Sequence, residues 1–541
     1  MTLPGSTSAE QQERGAPTVH RDVQFSARGS VLTRAPESRT PKSASRSIPR
    51  PSPVRSYPAL VLLWVGYVLF GAYLIANQPA NLDPMIATNY VVDVIAYFLM
   101  AGVFVQIFAK HDMDLFDPIV IVSVVYITIF SLSPIHDIVA TDYYTFGVNT
   151  FPWGVKGTLV AVAGYLAMCF GYSLHFRPRP PAVSKPRSGA GGPKIAVFAL
   201  AIWALAFMTA LVGDMAGGKG ASYLLSLGLT GEINAQPAMD TPLGFARFVA
   251  HALIPSSIIY AHFGRSRWLN LAVQVLTFAL LASQGFRYIV VIFVLSHVYV
   301  WYMKRKTTPR VIVLVTALAV LILFSGAMGF YRTAMRTGGS VDWAAFGFND
   351  VYDAVFGNLG IYKTYYAVVH AVPSEVPYGF GAEVFIYTAI LFVPRAIWPS
   401  KPLPPVWAPI RAGLSDYAVT AGAAYPNIGE YYFEFGVLGV VVLMGLFGVA
   451  LNYVRARLRA SSDVLDLVLY AVLVTATFQV VIRGYTPSNF YMLMLLAVPV
   501  VVVKHLSRGE ATSHRRGSIV GTRMLRAEGR EIGRASCRER V

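Results

Sequence analysis

The chain has 541 residues, 55% of them hydrophobic and 13% charged, with 45 Lys and Arg against 28 Asp and Glu for a formal net charge of +17. Water-soluble domains carry about a quarter charged residues, so this composition excludes an ordinary soluble protein and predicts one that crosses a membrane many times. The positive excess does not point to nucleic acid, because it gathers in the tails and in short loops, where Lys and Arg set topology.

Residues 1–56 are rich in Ser, Pro and Arg, with few apolar residues and no signal-peptide core, which predicts a disordered cytoplasmic tail. Residues 57–506 form the expected membrane domain. Apolar runs fall at Pro58–Ala76, Tyr90–Ala109, Pro118–Leu132, Trp153–Leu174, Ile195–Val212, Phe245–Phe263, Trp268–Ser283, Tyr288–Met303, Val311–Phe330, Phe435–Val454, Val464–Ile482 and Phe490–Val503. Backbone groups in lipid must bond within their own segment, so the expected fold is all-α, a bundle of about twelve transmembrane helices. Basic clusters follow at Arg177–Lys194, Arg265/Arg267, Lys304–Lys306, Arg455/Arg457/Arg459 and after Lys504. With twelve spans they all share one side, which places both termini in the cytoplasm.

Cations predicted on the other side therefore oppose the topology signal: Lys219, Arg247, Arg287, Arg332, Arg336, Lys363, Arg395, Lys401, Arg411 and Arg483. Any one of them has an equally good reading as a snorkelling interfacial side chain. As a set they suggest a cationic site for a phosphate-bearing substrate. Arg332 and Arg336 lie one helical turn apart, and Arg287 ends the short hairpin S-Q-G-F-R.

Residues 331–430 are too long and too apolar for a connector, and loops of this size usually carry function. Val351, Val355, Leu359, Tyr362, Tyr366 and Val369 are spaced for an amphipathic helix lying on the membrane, with Lys363 and His370 at its edge. Glu383–Val393 is too short to span, and it either re-enters the bilayer or lies in its outer leaflet. Pro394, Pro399, Pro402, Pro404 and Pro405 then stiffen the backbone that carries Arg395 and Lys401. The same loop offers Glu375, Glu383, Asp416, Glu430 and Glu434. The last two, one turn apart beside Asn427, are read either as an interfacial pair facing water or as part of a site.

Other features carry less. Asp112-Met113-Asp114 resembles a sugar-transferase D-x-D but sits in a short loop, where chance is the better reading. Asp93 and Asp466 fall near predicted helix ends, where a charge costs little. His297 is expected to be packed or hydrogen-bonded rather than catalytic. Cys169 and Cys537 cannot build a disulfide framework or a Cys metal site, and no ligand cluster for a metal or other cofactor is apparent. Residues 507–541 form a basic C-terminal tail whose last eleven residues, E-I-G-R-A-S-C-R-E-R-V, look like adaptor or vector sequence.

The late outer loop with P-R-A-I-W-P-S-K-P, and N-I-G-E-Y-Y-F-E-F-G-V-L-G entering the next helix, resemble the Wzy-type polymerases of bacterial O-antigen and oligosaccharide repeat units. G-F-R at Gly285–Arg287 is similar to their G-S-R turn, and the resemblance runs from Val61 to Val503. It implies a glycosyltransferase of the bacterial inner membrane that joins polyprenyl-pyrophosphate-linked repeat units, with a flippase and a chain-length regulator as further partners. Catalytic roles would then fall to Arg395, Glu430, Glu383 and His370. Substrate binding would fall to Arg287, Arg332, Arg336, Lys401, Arg411, Arg483, Asn427 and Trp398. Related O-antigen ligases carry a His before the motif Asn, where this chain has Pro426. That departure disfavours a ligase and leaves the base unassigned. A transporter or flippase of lipid-linked sugars is the alternative from another class.

Overall fold

The computed structural model describes residues 57–110, 116–174, 192–216, 244–284, 287–305, parts of 316–330, 342–347, 351, 360–391, 393, 397–420, 423–459, 461 and 463–507. Helices at Tyr57–Ala76, Gly154–Ser173, Gly192–Ala216, Arg267–Ser283, Arg287–Arg305 and Val464–Ile482 coincide with apolar runs of the sequence. Among the described residues, seven helices are long and apolar enough to cross a membrane, against the dozen expected. Most of the expected run Val311–Phe330 and the termini lie outside the described residues. The only strands among the described residues are a hairpin pairing Tyr144–Thr145 with Val148–Asn149.

The helices expected from Phe435 and Phe490 start earlier, at Asn427 and Thr486, and three further runs differ from expectation, each for a local reason. The second helix starts at Pro84 rather than Tyr90. Asp83 accepts the Met85 N–H at 2.9 Å, and Pro84 needs no hydrogen-bond partner at a helix start. The third continues past Leu132 to Val139 through a widened turn at Thr128–Leu132, where the Ser133 N–H reaches back to the Thr128 carbonyl just ahead of Pro134. The run Phe245–Phe263 divides into a 3₁₀ segment, Gly244–Ala252, and an α-helix, Leu253–Phe263.

Outward faces of these helices are as apolar as their packed faces. Leu69, Phe170, Leu205, Trp268 and Leu438 are all exposed, and only 33% of the most apolar window of helix 192–215 is buried within the protein. A helix that is hydrophobic all round matches lipid on its open side. Inward faces build two apolar clusters. One centres on Tyr126, Phe130, Tyr165, Tyr365 and Met444, the other on Leu253, Ile292, Tyr470 and Leu496.

The bundle has two chemically distinct ends. At one, Asp117 is ion-paired with Arg455 and Arg459, both at 2.6 Å, while Asn452 donates to the Leu174 carbonyl and Lys504 pairs with Asp466. This is the end where the basic loops attach. At the other end, Lys156 donates to the Val369 carbonyl at 3.0 Å and Lys363 pairs with Asp142 at 2.7 Å. The described residues of 360–425 therefore close the end of the bundle away from the basic loops.

Helices 154–173 and 427–454 meet through glycine. A Cβ at Gly171 would lie 2.0 Å from the Gly445 carbonyl oxygen, and one at Gly448 would lie 2.0 Å from that of Met168. Backbone against backbone leaves nothing flexible to give way. Gly448→Leu is expected to force these helices apart and cost about 1–3 kcal/mol or more. The check is a clear fall in the thermal midpoint of the detergent-purified protein, with Gly66→Leu, at a position with open space around it, as control.

Candidate functional site

Residues 362–369 of helix Ile361–Ser374 are buried on every side, with Tyr362, Lys363, Thr364, Tyr365 and Tyr366 all inside the protein. The expected amphipathic helix on the membrane surface is thereby corrected for this stretch. Its polar groups find partners within the bundle instead of water. The Tyr362 hydroxyl donates to Asp137 at 2.6 Å, and Lys363 bridges Asp137 at 2.9 Å and Asp142 at 2.7 Å. Tyr366 and Thr158 share a 2.7 Å hydrogen bond, and Thr158 donates to Asp93 at the same distance. Asp93 is fully enclosed and more than two turns inside its helix, not near an end as expected, because the helix begins at Pro84.

The motif N-I-G-E-Y-Y-F-E-F-G opens the helix Asn427–Val454, which breaks at Phe435 and Gly436. Gly436 has φ +63°, a conformation that L side chains avoid. Around the break, the Phe433 and Glu434 carbonyls accept the N–H groups of Gly379 at 2.9 Å and Phe380 at 3.0 Å. The Glu434 carboxylate accepts the backbone N–H groups of Gly381, Glu383 at 2.7 Å and Val384 at 3.4 Å. One acidic side chain thus fastens the turn Gly381–Val384, which starts the short helix Ala382–Tyr387, onto the bundle.

Two more carboxylates lie beside it. Glu430 takes both the Thr486 N–H at 3.0 Å and the Thr486 hydroxyl at 2.6 Å, capping the last membrane helix. Glu383 accepts the Val406 N–H at 2.9 Å through one oxygen, at the start of helix Trp407–Gly413, while its other oxygen is buried without a hydrogen bond. Glu383, Glu430 and Glu434 are all at 0% exposure, which corrects the reading of the latter two as an interfacial pair facing water. The three charges act on one another. Burial pushes the Glu383 carboxyl up to about 8, the Val406 N–H pulls it down, and the Glu434 charge raises it further.

Tyrosines and one lysine surround this acidic group. Tyr425 and Tyr485 feel the charges of Glu430 and Glu383, and the Tyr485 hydroxyl bonds with that of Tyr387. Lys401 is buried, donates to the Leu391 carbonyl at 3.1 Å and the Val393 carbonyl at 3.3 Å, and lies 5.4 Å from the centre of the Tyr387 ring. None of these tyrosines was singled out by the sequence reading. The position of Tyr425 one residue before the P-N-I-G-E motif was the available signal.

A second polar group adjoins through the loop Arg483–Thr486. The Gly484 N–H bonds the Tyr425 carbonyl at 2.8 Å, and Thr486 meets Glu430. On the same loop, Arg483 acts on Tyr288 together with the buried Arg247. Tyr288 follows Arg287 in the helix and shares a 3.4 Å contact with His251. Two of the expected outward cations therefore approach one hydroxyl. The remaining candidates lie elsewhere. His370 stacks on Trp153 at 4.1 Å and faces Glu375 at 3.5 Å. Arg411 is exposed and ion-paired with Asp416. Trp398 donates to Ser400 at 3.1 Å at the surface. Asn427 is buried, with its amide 3.3 Å from the Met444 sulfur and its side-chain oxygen accepting the Ile428 N–H. Arg332, Arg336, Arg395 and the Asp112–Asp114 pair fall outside the described residues, as does the Arg287 side chain. Among the described residues no group of His, Cys, Asp and Glu is arranged to hold a metal ion.

Fold and site together define a multi-pass α-helical membrane protein with a buried acidic and tyrosine-lined cluster at the end of its bundle away from the basic loops. Residues 236–508, half of the chain, match the family model of the O-antigen polysaccharide polymerase Wzy, and the chain belongs to that family. No curated protein and no solved structure matched the chain.

Gly436→Ala should disturb the break that presents Glu434 to segment 379–384, at about 1–2 kcal/mol of backbone strain. The expected outcome is a folded protein in which protease cleavage within 376–391 becomes faster and polymer synthesis falls at least tenfold. Unchanged cleavage and activity would show that the left-handed residue is dispensable.

Proposed function

We propose that this protein is a glycosyltransferase that joins oligosaccharide repeat units, each carried on a polyprenyl pyrophosphate, into a surface polysaccharide at the outer face of the bacterial inner membrane. In this reading about twelve helices cross the bilayer, both termini are cytoplasmic, and residues 331–430 face outward. Family membership supports the polymerase activity. The observation that carries the chemistry is Glu383, a buried carboxyl with one oxygen held and the other unengaged, on a turn pinned by Glu434.

Glycosyl transfer from a lipid pyrophosphate asks little of the protein at the leaving group. A pyrophosphate departs as a stable anion and needs no proton, so cations suffice to stabilise its developing charge. Arg287, Arg332, Arg336, Arg395, Lys401 and Arg483 are the proposed source of that charge, and Arg suits it because its fork binds two phosphate oxygens at once. The attacking hydroxyl, by contrast, must lose a proton as its oxygen bonds to the donor's anomeric carbon. Glu383 takes that proton while the bond from the same carbon to the pyrophosphate oxygen breaks. Glu430 and His370 are weaker bases by geometry, the first engaged by Thr486 and the second stacked on Trp153.

The pH dependence follows with a definite sign. Glu383, raised from 4.5 to about 8, keeps its proton at neutral pH and becomes a base as pH rises through about 8. Polymerisation is expected to climb through that range in wild type. Glu383→Gln should abolish the climb and lower the rate at pH 8.5 at least a hundredfold. Between about 4.5 and 8 the folded state holds a proton that the unfolded chain has released, so stability falls as pH rises through that window in wild type, levels off above it, and falls less in Glu383→Gln. A separate test addresses the cations. Arg395→Ala should eliminate polymer at normal protein level and membrane insertion, and Arg395→Lys should also be impaired because it cannot make a two-pronged contact. Full polymer in the Arg395→Ala strain would remove that residue from the site.

A further inference from the structure

The cluster holds a second buried polar atom that the mechanism above does not use. The Tyr425 hydroxyl makes no hydrogen bond within the protein, although the residue is only 5% exposed. Everything else about Tyr425 is fixed. Its carbonyl accepts the Gly484 N–H at 2.8 Å, and a Cβ on Gly429 would lie 3.3 Å from its ring. A Cβ on Gly484 would come within 2.5 Å of the Pro426 and Asn427 backbone, so the chain on either side of the loop cannot drift. The hydroxyl sits in the electrostatic neighbourhood of Glu430, Glu383 and Glu434, yet none of these carboxylates accepts its hydrogen. Buried hydroxyls almost always have a partner, and one held rigidly without one calls for an explanation.

Glu383 presents the matching atom. One of its oxygens is engaged by Val406, and the other is also buried and unbonded. Once Glu383 has lost its proton, one unpaired atom is a donor and the other an acceptor, and an alcohol is the ligand that answers both. We propose that Tyr425 and Glu383 together hold one hydroxyl of the acceptor glycan, the tyrosine donating its hydrogen to the alcohol oxygen while the carboxyl group accepts the alcohol's hydrogen. This rests on the reading of Glu383 as the proton acceptor and extends it to the residue that aims the nucleophile. Tyr425 is then a substrate-contacting residue whose hydroxyl the fold itself does not use. It also makes the site selective for a free hydroxyl at the linkage position, because a sugar lacking that group leaves both protein atoms unpaired.

The test uses the full-length protein in nanodiscs with the lipid-pyrophosphate-linked repeat unit extracted from polymerase-deficient cells of the source strain. Wild type, Tyr425→Phe and Glu383→Gln are compared for polymer formation, for repeat-unit binding and for thermal midpoint. Tyr425→Phe removes only the hydroxyl. The expected result is a midpoint equal to or above wild type, at least tenfold weaker repeat-unit binding and at least a tenfold loss of polymerisation, with the rise in rate near pH 8 retained. Wild-type binding and activity in Tyr425→Phe, with Glu383→Gln inactive, would overturn the tyrosine's role and leave the base in place. A midpoint several degrees lower would also overturn it, by showing that the hydroxyl is used within the fold. Full activity in Glu383→Gln would instead overturn the reading of the base on which this inference rests.

Discussion

Glu434 governs how the outer part of this protein is attached to its bundle. Its carboxylate gathers the N–H groups of Gly381, Glu383 and Val384, while the backbone around it accepts those of Gly379 and Phe380. Buried N–H groups without acceptors would each be costly, so the turn can exist in an apolar setting only because one side chain serves several of them. The arrangement requires the helix to break just past Glu434, and the left-handed Gly436 supplies the break. The spacing E-F-G in the motif therefore has a mechanical meaning. The acid grips the outer turn, and the glycine lets the helix change course immediately afterwards.

The same logic explains how three acids tolerate burial side by side. Each receives a backbone N–H at or near the start of a different helix: Glu434 at Ala382–Tyr387, Glu383 at Trp407–Gly413 and Glu430 at Thr486–Ser507. Helix starts carry partial positive charge, so these positions suit carboxylates. Glu430 and Glu434 are well supplied with donors. Glu383 has one, and its burial raises the carboxyl to about 8, so that it holds a proton near neutral pH. Structural and chemical roles are thus divided among neighbours of identical type by how many hydrogen-bond donors each one meets, Glu430 having the Thr486 hydroxyl as well as its N–H where Glu383 has the Val406 N–H.

Much of the bundle was legible because apolar length and the positions of Lys and Arg are properties of the chain itself. Helix starts were less so. The pair Asp83–Pro84 is a legible cap that moves the start of the second helix and carries Asp93 into its interior, whereas a reading by hydropathy alone begins at Tyr90. Helix 361–374 was misplaced for a different reason. Its spacing fits a membrane surface, and nothing local reveals that Lys363 will meet Asp137 and Asp142 more than two hundred residues away. Glu430 and Glu434 read as a pair one turn apart and Glu383 as a separate acid, and the convergence of Glu383 on that pair depends on the break at Gly436, which sequence periodicity does not register. Tyr425 and Tyr485 escaped notice because a tyrosine near a membrane boundary ordinarily belongs to the aromatic belt. Their role emerges only when the loop Arg483–Thr486 is seen to touch the start of the motif helix.

Whether Glu383 is a neutral acid within the folded protein is the point on which the chemistry turns, and infrared difference spectroscopy of wild type against Glu383→Gln reads it directly. The account predicts a protonated carboxyl band present in wild type at pH 6, absent from the variant, and lost on titration with a midpoint of about 8. A Glu383 already ionised at pH 6 would contradict it, because a carboxylate in that state would be exposed or fully bonded rather than held in reserve for an incoming hydroxyl.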